Sequence, residues 1–508
     1  MVSLALFPPP NGGTTLFELN NELVTGTPSS EDVYNFHMQV LGFPPVAIQK
    51  ESLKPHCHSE HSSKAAFLSH SESVWERSAN TWHESGIYGL LEEINRSAEE
   101  VPRLLRTLAG CALIAYRWIT SFRRSLTPHL TLSTEDLLSE FTQVTNWKEC
   151  TLRAFAWHPH TNKCALAVVD DSIRIYKSKS DTVPTLKHRL QRNVSTLAWK
   201  PLCASVLAVG CQSCILVWNV DPSSLSSRPS SGCGQVLSQP GHGPVTSLAW
   251  CPQGGFLVSA SPMDTCMMVW DVATEISIPL QRVGGGGVSF LAWSPDGHRI
   301  LATTPSAVFR VWETRTWTCD RWPTLKGRCQ TGCWSPDGSC LLFTVQGESV
   351  VYLLTFVDTG EGSGASGSSK TATICADLSR ATFGDAGDSI SVGGEVQSMV
   401  WDPSGERLAV LLRGEPCSAP TVAVFKTRIH PVFELLPCGF VQSEDESFPQ
   451  FISFHPSFAK GALLTVGWSS GQIANIPFYF VKTQSYLPGV SCSPPINCPR
   501  PCNLFSEL

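Results

Sequence analysis

Short apolar runs that end on a bulky aromatic residue recur along the chain, and a polar turn follows each of them. The run FLAW, which ends at Trp293, is followed by the turn SPDG at Ser294–Gly297. Apolar runs of this length, bounded by Ser, Pro, Asp and Gly, predict β-strands joined by tight turns. Seven residues occupy this position at the end of a run: Trp157, Trp199, Trp250, Trp293, Trp334, Trp401 and Phe454.

A second apolar run ends 18 to 24 residues after each of these first anchors. Its last large residue is the second anchor of the repeat: Tyr176, Trp218, Trp270, Trp312, Tyr352, Phe425 and Ile476. The first anchors recur after 42, 51, 43, 41, 67 and 53 residues. Because the shorter intervals match the roughly 40–45 residues of a WD40 repeat, we predict an all-β fold, a seven-bladed WD40-type β-propeller over residues 147–481.

Two insertions account for the long intervals, and other segments flank the repeats. Asp221–Gly234 and Val357–Val396 are rich in Gly, Ser or Asp, and we expect flexible loops there. Before the propeller we predict a partly disordered extension over residues 1–72, with one possible strand at 14–24, and a helical segment over 73–146. We further predict an N-cap at Ser133, which begins a short helix ending at Phe141, and a disordered tail over 482–508.

Composition narrows the class of function. Only 16% of the residues are charged, the net charge is -6, and no basic stripe typical of nucleic-acid binding is visible. The most apolar stretch, residues 104–122, contains Arg106 and Arg117, so we predict no membrane span. We also predict no signal peptide in the first residues, and we therefore expect the 20 cysteines to be mostly reduced core thiols.

One set of polar residues in the third repeat could have either a structural or a catalytic role. Gly241-His242 precedes Trp270-Asp271, and Asp264 lies six residues before Trp270. In WD-repeat propellers such a His, Asp and Trp are linked by hydrogen bonds through a strand hydroxyl, which Ser259 or Ser261 would supply here. Since no nucleophile motif accompanies His242 and Asp264, we predict a structural polar network of His242, Asp264 and Trp270 rather than a catalytic pair.

Other histidines, cysteines and glycines of the kinds found in metal and phosphate sites do not form a complete binding motif. His56-Cys57-His58 with His61 fits no zinc spacing, and Cys211 and Cys214 have no second pair to complete a four-cysteine site. Gly284–Gly287 is not followed by the Lys-Ser/Thr of a phosphate-binding loop. We expect no metal, no cofactor and no catalytic residue.

Several stretches go beyond the general repeat pattern and resemble the aladin family of WD-repeat nucleoporins. They are Asn20–Gly26, Gln143–Trp147, Phe155–Lys163, Leu186–Val194, Ala302–Glu313, Gly327–Ser339, Trp401–Leu411, Phe433–Gly439 and Phe454–Phe458. The likeness covers roughly residues 14–26 and 73–481, and it is weakest at Ser29–Ser71 and in the two insertions.

The resemblance implies a non-enzymatic scaffold or docking subunit of the nuclear pore complex, supporting transport of protein and mRNA. It further implies a partner that is an integral membrane nucleoporin, placement at the nuclear envelope, and a role at mitotic spindle poles and the centrosome besides the cytoplasm. No partner-binding residue and no oligomeric state follow from it.

Two alternatives stay open at this point. One is a substrate-receptor propeller of a ubiquitin ligase, which often carries the motif W-D-x-R, whereas Val272-Ala273 follow Trp270-Asp271 here. Co-purification of a cullin adaptor would favour that alternative. The other is a propeller enzyme, which would need carboxylates or metal ligands that converge at one mouth of the ring.

Overall fold

The computed structural model describes most of the chain from residue 132 onward and parts of the N-terminal region. The described residues are 1–10, 13–19, 21–26, 42–44, 46–48, 90, 91, 94, 102, 105, 107–113 and 132–480, the last range with gaps at 179, 181, 221–228, 282–285, 325, 358–366, 369–370, 385–389, 415–419 and 444–446.

The N-terminal region contributes four strands, a turn of 3-10 helix and a short α-helix. The strands are β1 (Val2–Ser3), β2 (Thr14–Leu19), β3 (Glu22–Gly26) and β4 (Val46–Ala47), with the 3-10 turn at Leu4–Leu6 and α1 at Thr134–Phe141. The predicted cap of α1 is confirmed, because the Ser133 hydroxyl accepts a hydrogen bond from the Asp136 amide. Residues 107–113 are also helical, whereas most of the helical segment predicted over 73–146 lies outside the described residues.

Seven antiparallel sheets follow and form the blades of a propeller, which confirms the predicted fold class. Blade 1 consists of β5 (Leu152–Trp157), β6 (Lys163–Val168), β7 (Ile173–Lys177) and β8 (Thr185–Leu186), and blade 2 of β9 (Thr196–Trp199), β10 (Val206–Gly210), β11 (Ile215–Asn219) and β12 (Gly234–Leu237). Blade 3 consists of β13 (Ser247–Trp250), β14 (Leu257–Ala260), β15 (Cys266–Asp271) and β16 (Ile276–Gln281), and blade 4 of β17 (Phe290–Trp293), β18 (Arg299–Thr303), β19 (Val308–Glu313) and β20 (Thr318–Pro323). A 3-10 turn at Ser231–Cys233 precedes β12.

Blades 5 to 7 have a less regular build. Blade 5 contains β21 (Cys329–Trp334), β22 (Cys340–Val345), β23 (Val350–Val357), β24 (Gly367–Ser368) and β25 (Thr373–Asp377). After a hairpin of β26 (Ala381–Phe383) and β27 (Ile390–Val392), blade 6 contains β28 (Val396–Trp401), β29 (Arg407–Leu412), β30 (Thr421–Arg428) and β31 (Glu434–Val441). Blade 7 contains β32 (Pro449–Phe454), β33 (Gly461–Trp468) and β34 (Gln472–Tyr479). The first strands of successive blades contact one another around the ring, and β32 contacts β5 to close it.

The prediction that Val357–Val396 is one long loop is wrong. This stretch contains β25, which is the fourth strand of blade 5 and pairs with β23, and the hairpin of β26 and β27. The composition of the whole stretch is that of a loop, but the run TICAD at Thr373–Asp377 is short and apolar enough to pair with the open edge of β23.

The N-terminal region supplies strands to two blades, so the strands of the propeller are not confined to residues 147–481. β1 pairs in parallel with β25 of blade 5, and β2 pairs in parallel with β34 of blade 7. β4 pairs antiparallel with the beginning of the same β34. Blade 7 has only three strands of its own, and its outer edge is covered by these two N-terminal strands. The strand predicted over residues 14–24 is in the structure the hairpin of β2 and β3.

A buried ion pair holds this N-terminal hairpin against blade 6. The Arg407 guanidinium donates to Glu18 Oε1 at 3.0 Å, and the two side chains are 4% and 0% exposed. Arg407 also donates to the Asn21 side-chain oxygen at 3.1 Å and lies 4.8 Å from the centre of the Phe480 ring. Earlier in the chain, Phe7 contacts the rings of Phe425 and Phe440 in blade 6. Residues 2–10 and 13–19 therefore fasten blades 5, 6 and 7 together.

The hydrophobic core lies between the blades. Each cluster of buried side chains joins neighbouring sheets, as Ile175 of blade 1 and Leu216 of blade 2 do in one of them. Large rings such as Trp199 and Trp250 share these clusters with small residues such as Ala165 and Ala208 of the neighbouring sheet, which lets the sheets approach closely.

Candidate functional site

All seven first anchors occupy the same place in the fold, the last residue of the first strand of a blade. Five of them are buried, and Trp293 and Trp401 are partly buried. In six blades the first and second anchors lie in one cross-strand row, as in Trp250, Leu257 and Trp270 of blade 3. The repeats thus bring each pair of anchors together across the second strand.

Blade 5 departs from the predicted second anchor. Trp334 is opposite Leu341, and Leu341 is opposite Leu354 rather than Tyr352. Tyr352 lies two residues away in β23, and its hydroxyl donates to Glu348 Oε2 at 2.6 Å. This hydrogen bond and burial raise the pKa of Tyr352 to about 12. The second anchor of blade 5 is therefore Leu354, which is almost fully buried.

The tryptophan anchors also link the blades by hydrogen bonds that the sequence reasoning missed. The indole N–H of Trp199 donates to the Ala156 carbonyl at 3.2 Å, and that of Trp250 donates to the Ala198 carbonyl at 3.1 Å. Trp334 donates in the same way to Ala292, at 3.0 Å. In each case the acceptor is the residue before the anchor of the preceding blade. The recurring Ala-Trp pair in the sequence was the available signal, because a small residue lets the next blade's indole reach its carbonyl.

The other tryptophan anchors bond differently. Trp157, at the seam where the ring closes, donates to the Thr465 hydroxyl of blade 7 at 3.0 Å. Trp401 donates to Thr427 of its own blade at 3.1 Å. Within the described part of the chain, the buried indole nitrogen of Trp293 has no hydrogen-bond partner.

The structure brings His242, Asp264 and Trp270 together in blade 3. His242 Nδ1 lies 2.7 Å from Asp264 Oδ2, and His242 Nε2 lies 2.7 Å from the Ser259 hydroxyl. The Trp270 indole N–H donates to the same hydroxyl at 2.8 Å. Of the two serines considered from the sequence, Ser259 is thus the one that joins the network.

The electrostatics of this network favour an ionised aspartate. Burial raises the pKa of the Asp264 carboxyl, but hydrogen bonds from His242 and from the Cys266 amide outweigh it, so the pKa lies below its usual value. His242 is buried, and both its ring nitrogens are engaged by hydrogen-bond partners. A histidine held in this way links the loop before β13 to the turn after β14, a structural task.

One mouth of the ring is covered by the chain's own residues 133–149, which include α1. The Arg328 guanidinium donates to both the carbonyl and the carboxylate of Glu140, each at 2.9 Å. Gln397 donates to the Thr142 carbonyl at 3.2 Å, and the Thr145 amide donates to the Gln450 carbonyl at 2.9 Å. These contacts reach the beginnings of the first strands of blades 5, 6 and 7.

Blade 1 holds the end of the same covering segment. The Arg153 guanidinium lies 4.2 Å from the centre of the Trp147 ring and pairs with Asp171 at 3.0 Å. The Trp147 side chain is fully buried. Because its contacts extend over four blades, residues 133–149 are an integral cap of this end of the ring.

The described residues offer little for metal or thiol chemistry. Among them, no group of three or more His, Cys, Asp or Glu side chains is arranged to hold a metal ion. Cys211 and Cys214 are free, buried thiols in the core between blades 1 and 2. The histidine-rich segment at His56–His61 lies outside the described residues. No helix in the described ranges is long and apolar enough to cross a membrane.

The comparison with protein families agrees with this architecture. Residues 133–479 match the family described as the aladin seven-bladed propeller. Aladin from Arabidopsis thaliana is 30% identical over 366 residues, which cover 67% of this chain and 78% of that protein. The solved β-propeller domain of Cps50 (Swd1) from Myceliophteria thermophila superposes with a TM-score of 0.47 at 13% identity, over 64% of this chain and 96% of that chain. The family match spans more than half of the sequence, and the chain therefore belongs to the aladin family of seven-bladed propeller proteins.

Proposed function

We propose that this protein is a non-enzymatic docking subunit of the nuclear pore complex. Membership of the aladin family carries the proposal, since the matched residues 133–479 comprise all seven blades of the ring. The proposed roles are support of protein and mRNA transport through the pore and assistance to spindle assembly in mitosis. The polar residues identified from the sequence would then act in folding, as the network of His242, Ser259 and Trp270 does.

The geometry is consistent with a rigid platform. Indole hydrogen bonds join neighbouring blades, and the N-terminal strands fasten blades 5 to 7. A ring fixed in this way presents its turns at constant positions, which lowers the entropic cost of binding a partner. The proposed partner that attaches the ring to the nuclear envelope is an integral membrane nucleoporin, with further pools at spindle poles, the centrosome and the cytoplasm.

Two truncations test whether placement at the nuclear rim requires the closed ring. A chain cut after Cys438 loses β32, β33 and β34, and with them the edge on which β2 and β4 pair. We expect this chain to misfold and spread through the cytoplasm, because open sheet edges are left unpaired. A chain cut after Val481 keeps every described strand and should still mark the rim.

Fluorescent fusions imaged against a pore marker provide the measurement. Rim labelling by the chain cut after Cys438 would place the docking residues before the last blade and contradict the proposal that the ring is required. Absence of rim labelling by the full chain, together with co-purification of a cullin adaptor, would favour the ubiquitin-ligase alternative.

A further inference from the structure

Leu202 has a strained backbone and lies at the end of the ring opposite the cap formed by residues 133–149. In blades 3 to 6 the turn after the first strand contains a glycine with positive φ, between 73° and 80°: Gly254, Gly297, Gly338 and Gly405. In blade 2 the residue with positive φ is Leu202, at 56°, and its side chain is 74% exposed. A left-handed backbone is unfavourable for leucine and easy for glycine. Because Leu202 is largely exposed, packing against the described residues does not compensate for this cost.

A second large apolar side chain is exposed on the neighbouring turn. Phe256 lies just before β14 of blade 3 and is 46% exposed. The two turns abut, since a Cβ at Gly254 would lie 3.0 Å from the Pro201 carbonyl oxygen. Leu202 and Phe256 thus stand on adjacent turns of the same end of the ring.

Lysines flank this apolar pair. Lys163 and Lys177 are directly opposite each other in β6 and β7, an unfavourable arrangement of like charges. Lys200 precedes the strained turn, and its ammonium lies 5.4 Å from the centre of the Trp250 ring. In the part of the chain that the structure describes, none of these three lysines forms an ion pair.

The lysines and the apolar pair belong to one continuous surface. The His158 amide donates to the Lys163 carbonyl at 2.9 Å, and His158 Nε2 lies 3.3 Å from the Ala204 carbonyl oxygen in the blade 2 turn. Burial and the charge of Lys177 lower the pKa of Lys163, so an added negative charge nearby would be favourable.

We propose that Lys163, Lys177, Lys200, Leu202 and Phe256 form a docking surface for an acidic amphipathic segment of a partner protein. Leucines or similar side chains of that segment would cover Leu202 and Phe256, and its carboxylates would pair with the three lysines. The proposal deepens the docking function and rests on it only in taking the partner to be a protein.

A synthetic peptide tests the surface in solution. The probe is a fluorescein-labelled peptide with leucines at helical spacing i, i+3, i+4 and i+7 and glutamates at the other positions. Its binding to the full chain is followed by fluorescence anisotropy. We expect saturable binding that weakens as salt is added. Peptides with lysine in place of glutamate, or serine in place of leucine, should bind much more weakly.

Leu202→Gly separates docking from folding. Glycine suits the left-handed backbone, so the melting temperature should stay the same or rise. Probe binding should weaken about tenfold, the loss expected when one leucine is no longer buried. Lys163→Glu with Lys177→Glu should also weaken binding. The matched control is Val432→Ser, which changes a 66% exposed side chain in a blade 6 turn at the same end of the ring and should leave binding unchanged.

Three results of the peptide experiment would overturn the inference: no saturable binding of the glutamate peptide, equal binding of the lysine peptide, or unchanged binding by Leu202→Gly. If light scattering showed a dimer of the chain that Leu202→Gly dissociates, the surface would serve self-association, and the inference would be wrong. Failure of the peptide experiment leaves the nuclear-rim experiment unaffected, so the two proposals can be judged separately.

Discussion

Replacing Glu18 by glutamine tests whether the N-terminal hairpin holds the ring closed. The substitution keeps the shape of the side chain but removes the charge that faces Arg407 inside the protein. Removing one partner of a buried ion pair destabilises a protein by about 3–5 kcal/mol, because the other charge stays buried without compensation. Asn21 still accepts a hydrogen bond from Arg407, and the partly exposed Glu406 lies 3.7 Å away, so we expect the lower part of that range.

This loss should be visible as a lower melting temperature. The ring has about 350 residues, for which the unfolding entropy is roughly 0.7 kcal/mol per degree. A loss of about 3 kcal/mol therefore lowers the melting temperature by about 4 °C. Hydrogen exchange should show the reason directly, since the amides of Thr14–Leu19 would exchange faster than those of the first strands.

A double-mutant cycle isolates the interaction. Arg407→Met alone should lower the free energy of unfolding at least as much as Glu18→Gln does. The double variant should lose much less stability than the sum of the two single losses. The control is the exposed pair of Arg428 and Glu434, with side chains 62% and 45% exposed, for which Glu434→Gln should change stability by no more than about 1 kcal/mol. Additive effects of the two substitutions, or equal losses in the test and control pairs, would refute the idea that this ion pair fastens the hairpin.

Two further predictions concern the anchors and the seam of the ring. Trp250→Phe should destabilise the chain by about 1 kcal/mol more than Trp293→Phe in urea unfolding, because only Trp250 donates an indole hydrogen bond; equal losses would show that this bond adds nothing. His455 is buried against the rings of Phe43 and Trp157, which lowers its pKa to about 4. On acidification the unfolded state is protonated first, so stability should fall by up to about 3 kcal/mol between pH 6.5 and 4. His455→Asn should flatten this pH dependence, and a slope that persists in the variant would exclude His455 as its cause.

The seven blades could be predicted from the sequence because the signal is local and repeated. Each first anchor ends a strand and precedes a turn, and these two features depend on only a few consecutive residues. The register between strands is not local in this way. In blade 5 the spacing alone favoured aromatic Tyr352, whereas the cross-strand row places Leu354 opposite Leu341.

The missing strands could not be found from local pattern alone. β1 and β4 have two residues each, and their pairing partners, in β25 and β34, lie several hundred residues away. An open sheet edge accepts backbone hydrogen bonds from almost any extended segment, so side-chain pattern says little about which segment will pair. The strand β25 within Val357–Val396 was missed for a related reason. Its five residues hardly change the average composition of a forty-residue segment.

The two ends of the ring differ in what a partner would have to displace. At one end, residues 133–149 include the buried Trp147, and Glu140 and Thr142 of this segment accept hydrogen bonds from Arg328 and Gln397. A partner at that mouth would compete with a segment of the same chain, whose effective concentration is high because it is covalently attached. It would also have to replace the hydrogen bonds of a buried arginine. At the other end no described segment covers Leu202, so a partner gains the burial of an exposed side chain without such competition. We therefore expect a partner to dock at the end of the ring that no described segment covers.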